Sequence, residues 1–240
     1  MLTLGAEARD DRLRLLTMFE GLRVSDVRDG LDYCQLREFG SISPNIRSIV
    51  LPSPRVVGFA LTTRYVPYRG HIPQVSGEEY ALWMEQYRRN VAPRPWEHEI
   101  RQGDIIVIDQ SGMDVGILGS RNTLKCMIAG ARGFVSNGGV RDVEQLIESR
   151  VPVWAACSSQ TMVQGRVQFE SFGGTVEIGG QSVETGDVIV ADSDGVVVVP
   201  VEKAEAVARY ARCEADRDTE IRGELLARFS EMKRHTNDHA

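Results

Sequence analysis

Between residues 103 and 156 the chain alternates short apolar runs with amphipathic stretches. "GDIIVIDQ" (103–110) is almost wholly apolar, as a strand covered on both faces must be. "GFVSN" (133–137) and "VPVWAA" (151–156) repeat that pattern. Between the first two runs, "RNTLKCMIAGARG" has helical spacing and predicts a face of Leu124, Met127, Ile128 and Ala131. After Gly138-Gly139, "RDVEQLIESR" predicts a second helix closed by Pro152. Strand, helix, strand, helix, strand is the order of an α/β fold with right-handed parallel crossovers.

The flanks differ. Residues 7–23 carry Leu13, Leu16 and Phe19 or Leu22 at helical intervals, and Ser25 and Asp26 are candidate caps of a helix running to about Cys34. "SISPNIRSIVLPSPRVVGFALTTRYV" predicts strands and turns. "SGEEYALWMEQYRRNVAP" predicts a helix capped by Ser76 and ended before Pro93, and "APRPW" is the most linker-like segment. Trp83, Tyr87 and Trp96 in this region are expected as core or subunit contacts, with the shaping of a pocket for a larger substrate as the alternative. Residues 165–200 alternate with frequent glycines, which predicts antiparallel β structure, with Asp192-Ser193-Asp194-Gly195 as a tight hairpin turn. Pro200 opens a final helix, and "KRHTNDHA" is expected to fray. The organisation expected is one domain over 1–240. It comprises an N-terminal helical and strand layer (1–102), a core with the site (103–200), and a C-terminal helix and tail (201–240).

Composition narrows the function. A net charge of -6 and a pI near 5.4 argue against a nucleic-acid backbone binder, which depends on lysine and arginine. Four scattered cysteines without a C-x-x-C pair predict reduced thiols in a cytoplasmic protein, and four histidines without ligand spacing argue against zinc. The N-terminus is too charged for a signal peptide and no run is long enough to span a membrane.

The candidate chemistry lies where the apolar runs end. In open α/β sheets ligands sit beyond the carboxyl ends of strands. Gly119-Ser120-Arg121-Asn122 opens one predicted helix and Arg141-Asp142 the next, so two Gly-rich loops face one cleft if their strands are adjacent. Free N–H groups at a helix start suit a carboxylate. An arginine grips a carboxylate and a keto oxygen bidentately, and an aspartate holds Mg²⁺ or Mn²⁺. Together these suit a 2-keto acid and a reaction that builds an enolate. The bland alternative is a turn in which Asp142 caps a helix.

The stretch "GDIIVIDQSG…LGSRNTLKCMIAGARGFVSNGGVRDVEQL…VPVWA", followed by "GDVIVADSDGVVVVP", resembles the RraA-like family, which includes regulators of ribonuclease E activity and class II pyruvate aldolases acting on 4-hydroxy-4-methyl-2-oxoglutarate. The resemblance implies a swivelling β/β/α domain with N-terminal helices and a long C-terminal helix, assembled as a homotrimer or homohexamer with active sites at subunit interfaces. It implies Arg141 and Asp142 as catalytic residues. Arg141 would bind the carbonyl and carboxylate of a pyruvyl group, and Asp142 would be the direct Mg²⁺ (or Mn²⁺) ligand. Gly119, Ser120, Arg121 and Asn122 would bind the substrate carboxylate through the helix start. The activity implied is a metal-dependent carbon–carbon lyase on a 2-keto acid, by retro-aldol cleavage or oxaloacetate decarboxylation. The alternatives are a non-catalytic regulator binding a protein partner, or a lyase or isomerase of another substrate class. One departure stands out: the aldolases carry an acid 21 positions before the arginine, where this chain has Ser120. Asp114 in the same loop and Asp109 at the end of the preceding strand are candidates to replace it. The resemblance also implies an acid from a neighbouring subunit's C-terminal region, where Glu214, Asp216, Asp218 and Glu220 are the candidates, with a solvated helix face as the bland alternative.

Overall fold

The computed structural model describes residues 6–237, with side chains placed for residues 11–234. In chain order the elements are α1 (Ala6–Phe19), α2 (Val24–Tyr33), β1 (Arg47–Ser48), β2 (Val56–Pro67), α3 (Gly77–Asn90), a 3-10 turn (Pro95–Glu99), β3 (Asp104–Asp109), α4 (Ser120–Ala129), β4 (Gly133–Val140), α5 (Val143–Glu148) and β5 (Val153–Ser158). There follow β6 (Val167–Phe172), β7 (Val176–Ile178), β8 (Gln181–Val183), β9 (Val188–Asp192), β10 (Gly195–Val199), a 3-10 turn (Val201–Lys203) and α6 (Ala204–Asn237).

One sheet runs in the order β1-β5-β4-β3-β2-β9-β10, with β6 also paired to β2. The β2-β3-β4-β5 portion is parallel, as the crossovers predict. β6, β9 and β10 join it antiparallel. The sheet nearly closes on itself. Residues 41–48 bridge its two ends, with Ser41 paired to Val197 in β10 and Ser48 paired to Trp154 in β5.

Both faces of this curved sheet are buried, which explains the unbroken apolar runs. In β3, Ile105 and Val107 point inward to a cluster with Trp154, Ile189 and Val198, while Ile106 and Ile108 point outward under α3, α4 and α5. In β9, Ile189 and Ala191 face inward while Val188 and Val190 face α1, α2 and α6. The β7-β8 hairpin carries Val176, Ile178 and Val183 into the inner cluster. The structure thus has the mixed α/β architecture expected, with N-terminal helices and a long C-terminal helix.

Several local expectations are corrected. "APRPW" is no linker: the turn at Pro95–Glu99 buries Trp96 completely, and the Trp96 Nε1–H donates to the Tyr65 hydroxyl at 3.0 Å. Trp96 and Tyr87 are core residues and Trp83 packs against them, as expected of that region. The cap of α2 is Arg23, whose N–H donates to Asp26 at the third helical position (2.7 Å), so Asp26 acts from inside the helix. Gly138 and Gly139 lie within β4, at a register shift against β5. α4 turns Thr123 and Cys126 inward and leaves Leu124 (40 % exposed) and Ile128 (88 %) outside, so the predicted face is the outer one in part. Helix α6 continues through Asn237 into the segment expected to fray, whose last three residues lie outside the described ones.

Candidate functional site at the carboxyl ends of β3 and β4

β3 and β4 are adjacent and parallel, so the loops that follow them meet. Leu118 pairs with Val140, and the Arg141 N–H donates to the Leu118 carbonyl at 2.8 Å. These contacts hold the start of α4 against the Arg141-Asp142 step. Glycine is required at the junction. A side chain at Gly116 would collide with the Arg141 Cγ, and one at Gly119 would press on the Asp142 carboxylate.

Asp142 occupies the N-cap position of α5 in the left-handed region (φ 59°, ψ 42°), where aspartate is tolerated better than most residues. Its carboxylate makes no bond to its own helix. It crosses to α4 instead, accepting from the Ser120 N–H (3.0 Å) and lying 3.3 Å from the Ser120 hydroxyl. The simple capping alternative is therefore not what the side chain does. The same bond alters the expected amide cradle. The Ser120 N–H is engaged by Asp142, and the Asn122 N–H turns back to the Gly119 carbonyl at 3.1 Å. Among the described hydrogen bonds, none engages the Arg121 N–H, and Arg121 is one of the residues lining the cavity beside it.

Gly119, Arg121, Asn122, Arg141 and Asp142 all line one cavity of about 440 Å³. Its far wall comes from Arg88, Ala92 and Arg94 of the α3 region and from Met162, Val163 and Gln164 after β5. The charges are unbalanced. Glu97 is paired with Lys125 (2.7 Å) and with Arg94 (3.6 Å). Among the described residues, no carboxylate pairs with Arg88, Arg121 or Arg141. Three uncommitted guanidinium groups around one concavity favour an anionic ligand, and their planar forks suit carboxylates. Arg88, Arg94 and Gln164 carry no motif and lie far from the glycine loops in sequence; only the fold brings them in.

Asp109 and Asp114 do not line this cavity. Asp109 is buried and accepts from the Ser111 N–H and the Asn137 side-chain amide, each at 2.8 Å. Asp114 lies 3.7 Å from the Cys157 thiol, whose pKa is raised by burial and then by the Asp114 charge. Glu214 and Asp218 are used within the chain, by the Tyr33 hydroxyl and Arg23. Tyr65 lines the cavity, but burial pushes its hydroxyl up to about 12, and that hydroxyl already donates to the Pro93 carbonyl. It is held protonated and so offers no base at neutral pH.

Among the described residues no group of three or more His, Cys, Asp or Glu is arranged to hold a metal. Asp142 offers a single carboxylate with one oxygen turned to Ser120. That donor set fits a hard cation keeping most of its waters, as Mg²⁺ does, and does not fit zinc.

The profile of one protein family, described as RraA-like (Aldolase/RraA), matches residues 24–198. A protein of Halalkalibacterium halodurans named "Putative 4-hydroxy-4-methyl-2-oxoglutarate aldolase" is 30% identical over 199 residues, covering 79% of this chain and 76% of that protein. Protein DlpA of Legionella pneumophila is 27% identical over 203 residues, 82% of this chain but only 29% of DlpA, so the chain spans less than a third of that relative. Among solved structures, an uncharacterized protein from Pseudomonas syringae pv. tomato superposes with a TM-score of 0.74 at 24% identity, covering 90% of this chain and 93% of that one. Streptomyces coelicolor RraAS2, described as an unusual member of the RNase ES inhibitor RraA protein family, gives 0.66 at 24% identity over 92% and 98% of the two chains. Likeness at these identities speaks to the fold. No helix among the described residues is long and apolar enough to cross a membrane.

Proposed function

The chain belongs to the RraA-like family, and from that premise we propose that it is a carbon–carbon lyase releasing pyruvate from a 2-keto acid, by oxaloacetate decarboxylation, retro-aldol cleavage or both. The observation that carries this reading is the uncommitted Arg141 guanidinium beside Asp142, in a cation-rich cavity at the strand ends. Arg141 grips the substrate carboxylate and 2-keto oxygen with its two N–H edges. As the bond beyond the keto carbon breaks, charge collects on that oxygen and the same contact strengthens, so the arginine favours the transition state over the ground state. The Arg121 N–H at the start of α4 supports the carboxylate.

Asp142 would hold Mg²⁺ or Mn²⁺, and that ion would supply Lewis-acid polarisation of the keto oxygen. Asp142 also ties the two loops together through Ser120, which keeps Arg141 in place. Retro-aldol cleavage further needs a base for the hydroxyl proton; decarboxylation does not. With serine at 120 and, among the described residues, no unpaired carboxylate on the cavity wall besides Asp142, decarboxylation is the better supported of the two reactions. The exposed apolar residues Ile221, Leu225 and Phe229 on α6 are compatible with assembly as a homotrimer or homohexamer, which belongs to the same proposal.

The test is pyruvate release by the full chain from oxaloacetate and from a 4-hydroxy-2-keto acid, with Mg²⁺, after EDTA, and after Mg²⁺ is restored. The expected result is a metal-dependent activity that EDTA removes reversibly. No pyruvate from either substrate with Mg²⁺ or Mn²⁺ would overturn the reading and favour a regulator that binds a protein partner.

Ser120→Asp gives an independent check. It sets a second carboxylate against Asp142, so the variant is expected to melt at lower temperature in EDTA, where the two charges repel. With Mg²⁺ present the pair shares the cation and the loss reverses. Calorimetry is expected to show about tenfold tighter Mg²⁺ binding, equal to roughly 1.4 kcal/mol. Unchanged affinity would show that position 120 does not face the ion, and unchanged Mg²⁺ binding in Asp142→Asn would remove Asp142 as the metal ligand.

A further inference from the structure

Gln164 is 4 % exposed and lines the cavity, yet neither its side-chain oxygen nor its side-chain nitrogen has a hydrogen-bond partner among the described residues. A buried amide without partners costs free energy, and such groups recur where a ligand or water completes the set. Its position is well defined. The Gly116 N–H donates to the Thr161 carbonyl at 3.2 Å, and Gly116 touches the Arg141 side chain. Four residues after Thr161, Gly165 abuts Ile72 and Trp83, and the Tyr87 hydroxyl donates to the Val167 carbonyl at 2.7 Å. The segment 161–167 therefore leads from Arg141 to α3, with Gln164 between them on the cavity wall.

We propose that Gln164 is a specificity-determining residue that reads a neutral polar substituent, a hydroxyl, on the part of the ligand beyond the group held by Arg141. The reasoning is from complementarity. An amide offers a carbonyl acceptor and an NH₂ donor, and a hydroxyl satisfies both at once. A second carboxylate would satisfy only the donor and would set its charge against the amide oxygen. Carboxylates have better partners here in Arg88 and Arg121. Both polar atoms of Gln164 are shielded from solvent, so the proposal includes a turn of this three-χ side chain toward the ligand. It rests on the 2-keto acid reading of the site.

The experiment is calorimetric binding of two probes to the full chain in EDTA, where the lyase reading expects no turnover of the hydroxylated acid: 2-oxobutanoate and 4-hydroxy-2-oxobutanoate. The wild type is expected to bind the hydroxylated acid about tenfold more tightly, the effect of one satisfied polar pair of roughly 1.4 kcal/mol. Gln164→Met, which keeps length and flexibility, is expected to abolish the preference while binding 2-oxobutanoate as before. Gln164→Leu is expected to do the same. Both should melt no lower than wild type, because an unpartnered buried amide has been replaced by an apolar group. A preference retained in either folded variant overturns the role of Gln164 and leaves the lyase reading standing. So does equal binding of the two probes by wild type. Failure of wild type to bind either probe overturns the 2-keto acid reading, and the Gln164 assignment with it. A marked fall in melting temperature would show that the amide is structural, and would also overturn the proposal.

Discussion

Arg141→Lys is expected to reduce kcat/KM for pyruvate release by about 10²–10³, the usual cost of removing one preorganised donor from a developing oxyanion. The charge is kept, so the loss isolates geometry. A guanidinium presents two parallel N–H groups to a carboxylate and an adjacent oxygen, whereas an ammonium is a point charge with no fixed fork. The structure adds a steric reason for specificity. The Arg141 side chain lies along Gly116, where any side chain would collide with it, so the arginine runs in a groove cut for its stem. Steady-state kinetics with oxaloacetate would decide. Turnover within a fewfold of wild type would remove Arg141 from the reacting centre. A loss confined to KM would make it a binding residue alone.

The second large effect is on stability. Trp96→Ala is expected to cost about 3–5 kcal/mol, the range for truncating a fully buried large aromatic. For a chain of this size that corresponds to a fall in melting temperature on the order of 10 °C. Trp96 is completely buried and supplies the donor to the Tyr65 hydroxyl, so the truncation also leaves that hydroxyl short of a partner. The same turn carries Glu97, which holds Lys125 and Arg94 on the cavity wall, so ligand affinity is expected to fall with stability. Trp96→Phe keeps most of the packing and loses the N–H. It should cost roughly 1–2 kcal/mol, in line with one unsatisfied buried polar group. Thermal melting of both variants separates packing from hydrogen bonding. A near-native melting temperature for Trp96→Ala would show that the turn is peripheral after all.

That turn also shows what the chain could and could not disclose by itself. The runs 103–110 and 133–137 are legible because strands covered on two faces keep their polar residues to the ends, and β3 sends alternate side chains into two separate clusters. The pairing of the glycine loops followed from adjacency of β3 and β4, a rule of parallel crossovers. "APRPW" misled because prolines and an arginine around a tryptophan give no period from which burial could be read. In α4 the apolar spacing was genuine, but spacing defines a face without saying what covers it. Small residues, Thr123 and Cys126, lie against the body, leaving Leu124 and Ile128 outside. The cavity's far wall was illegible for a different reason. Arg88, Arg94 and Gln164 come from segments whose approach to Arg141 depends on the whole topology, and no local signal marks them. Asp142 is a candidate from the sequence, but its reach across to Ser120 depends on a left-handed backbone that no sequence pattern marks.

The central strand β2 has a consequence for how the polypeptide is made. Along one edge it pairs with β3, and along the other with β9 at Val56–Phe59 and β6 at Thr63–Pro67. About 120 residues separate the end of β2 from the start of β9, so at roughly 5–20 residues per second a ribosome would take on the order of 10 s to deliver the missing partner. Throughout that interval a long apolar strand leaves the exit tunnel with one open edge, a template for pairing with other nascent chains. Shielding of that edge during synthesis is therefore expected to raise the yield of native protein.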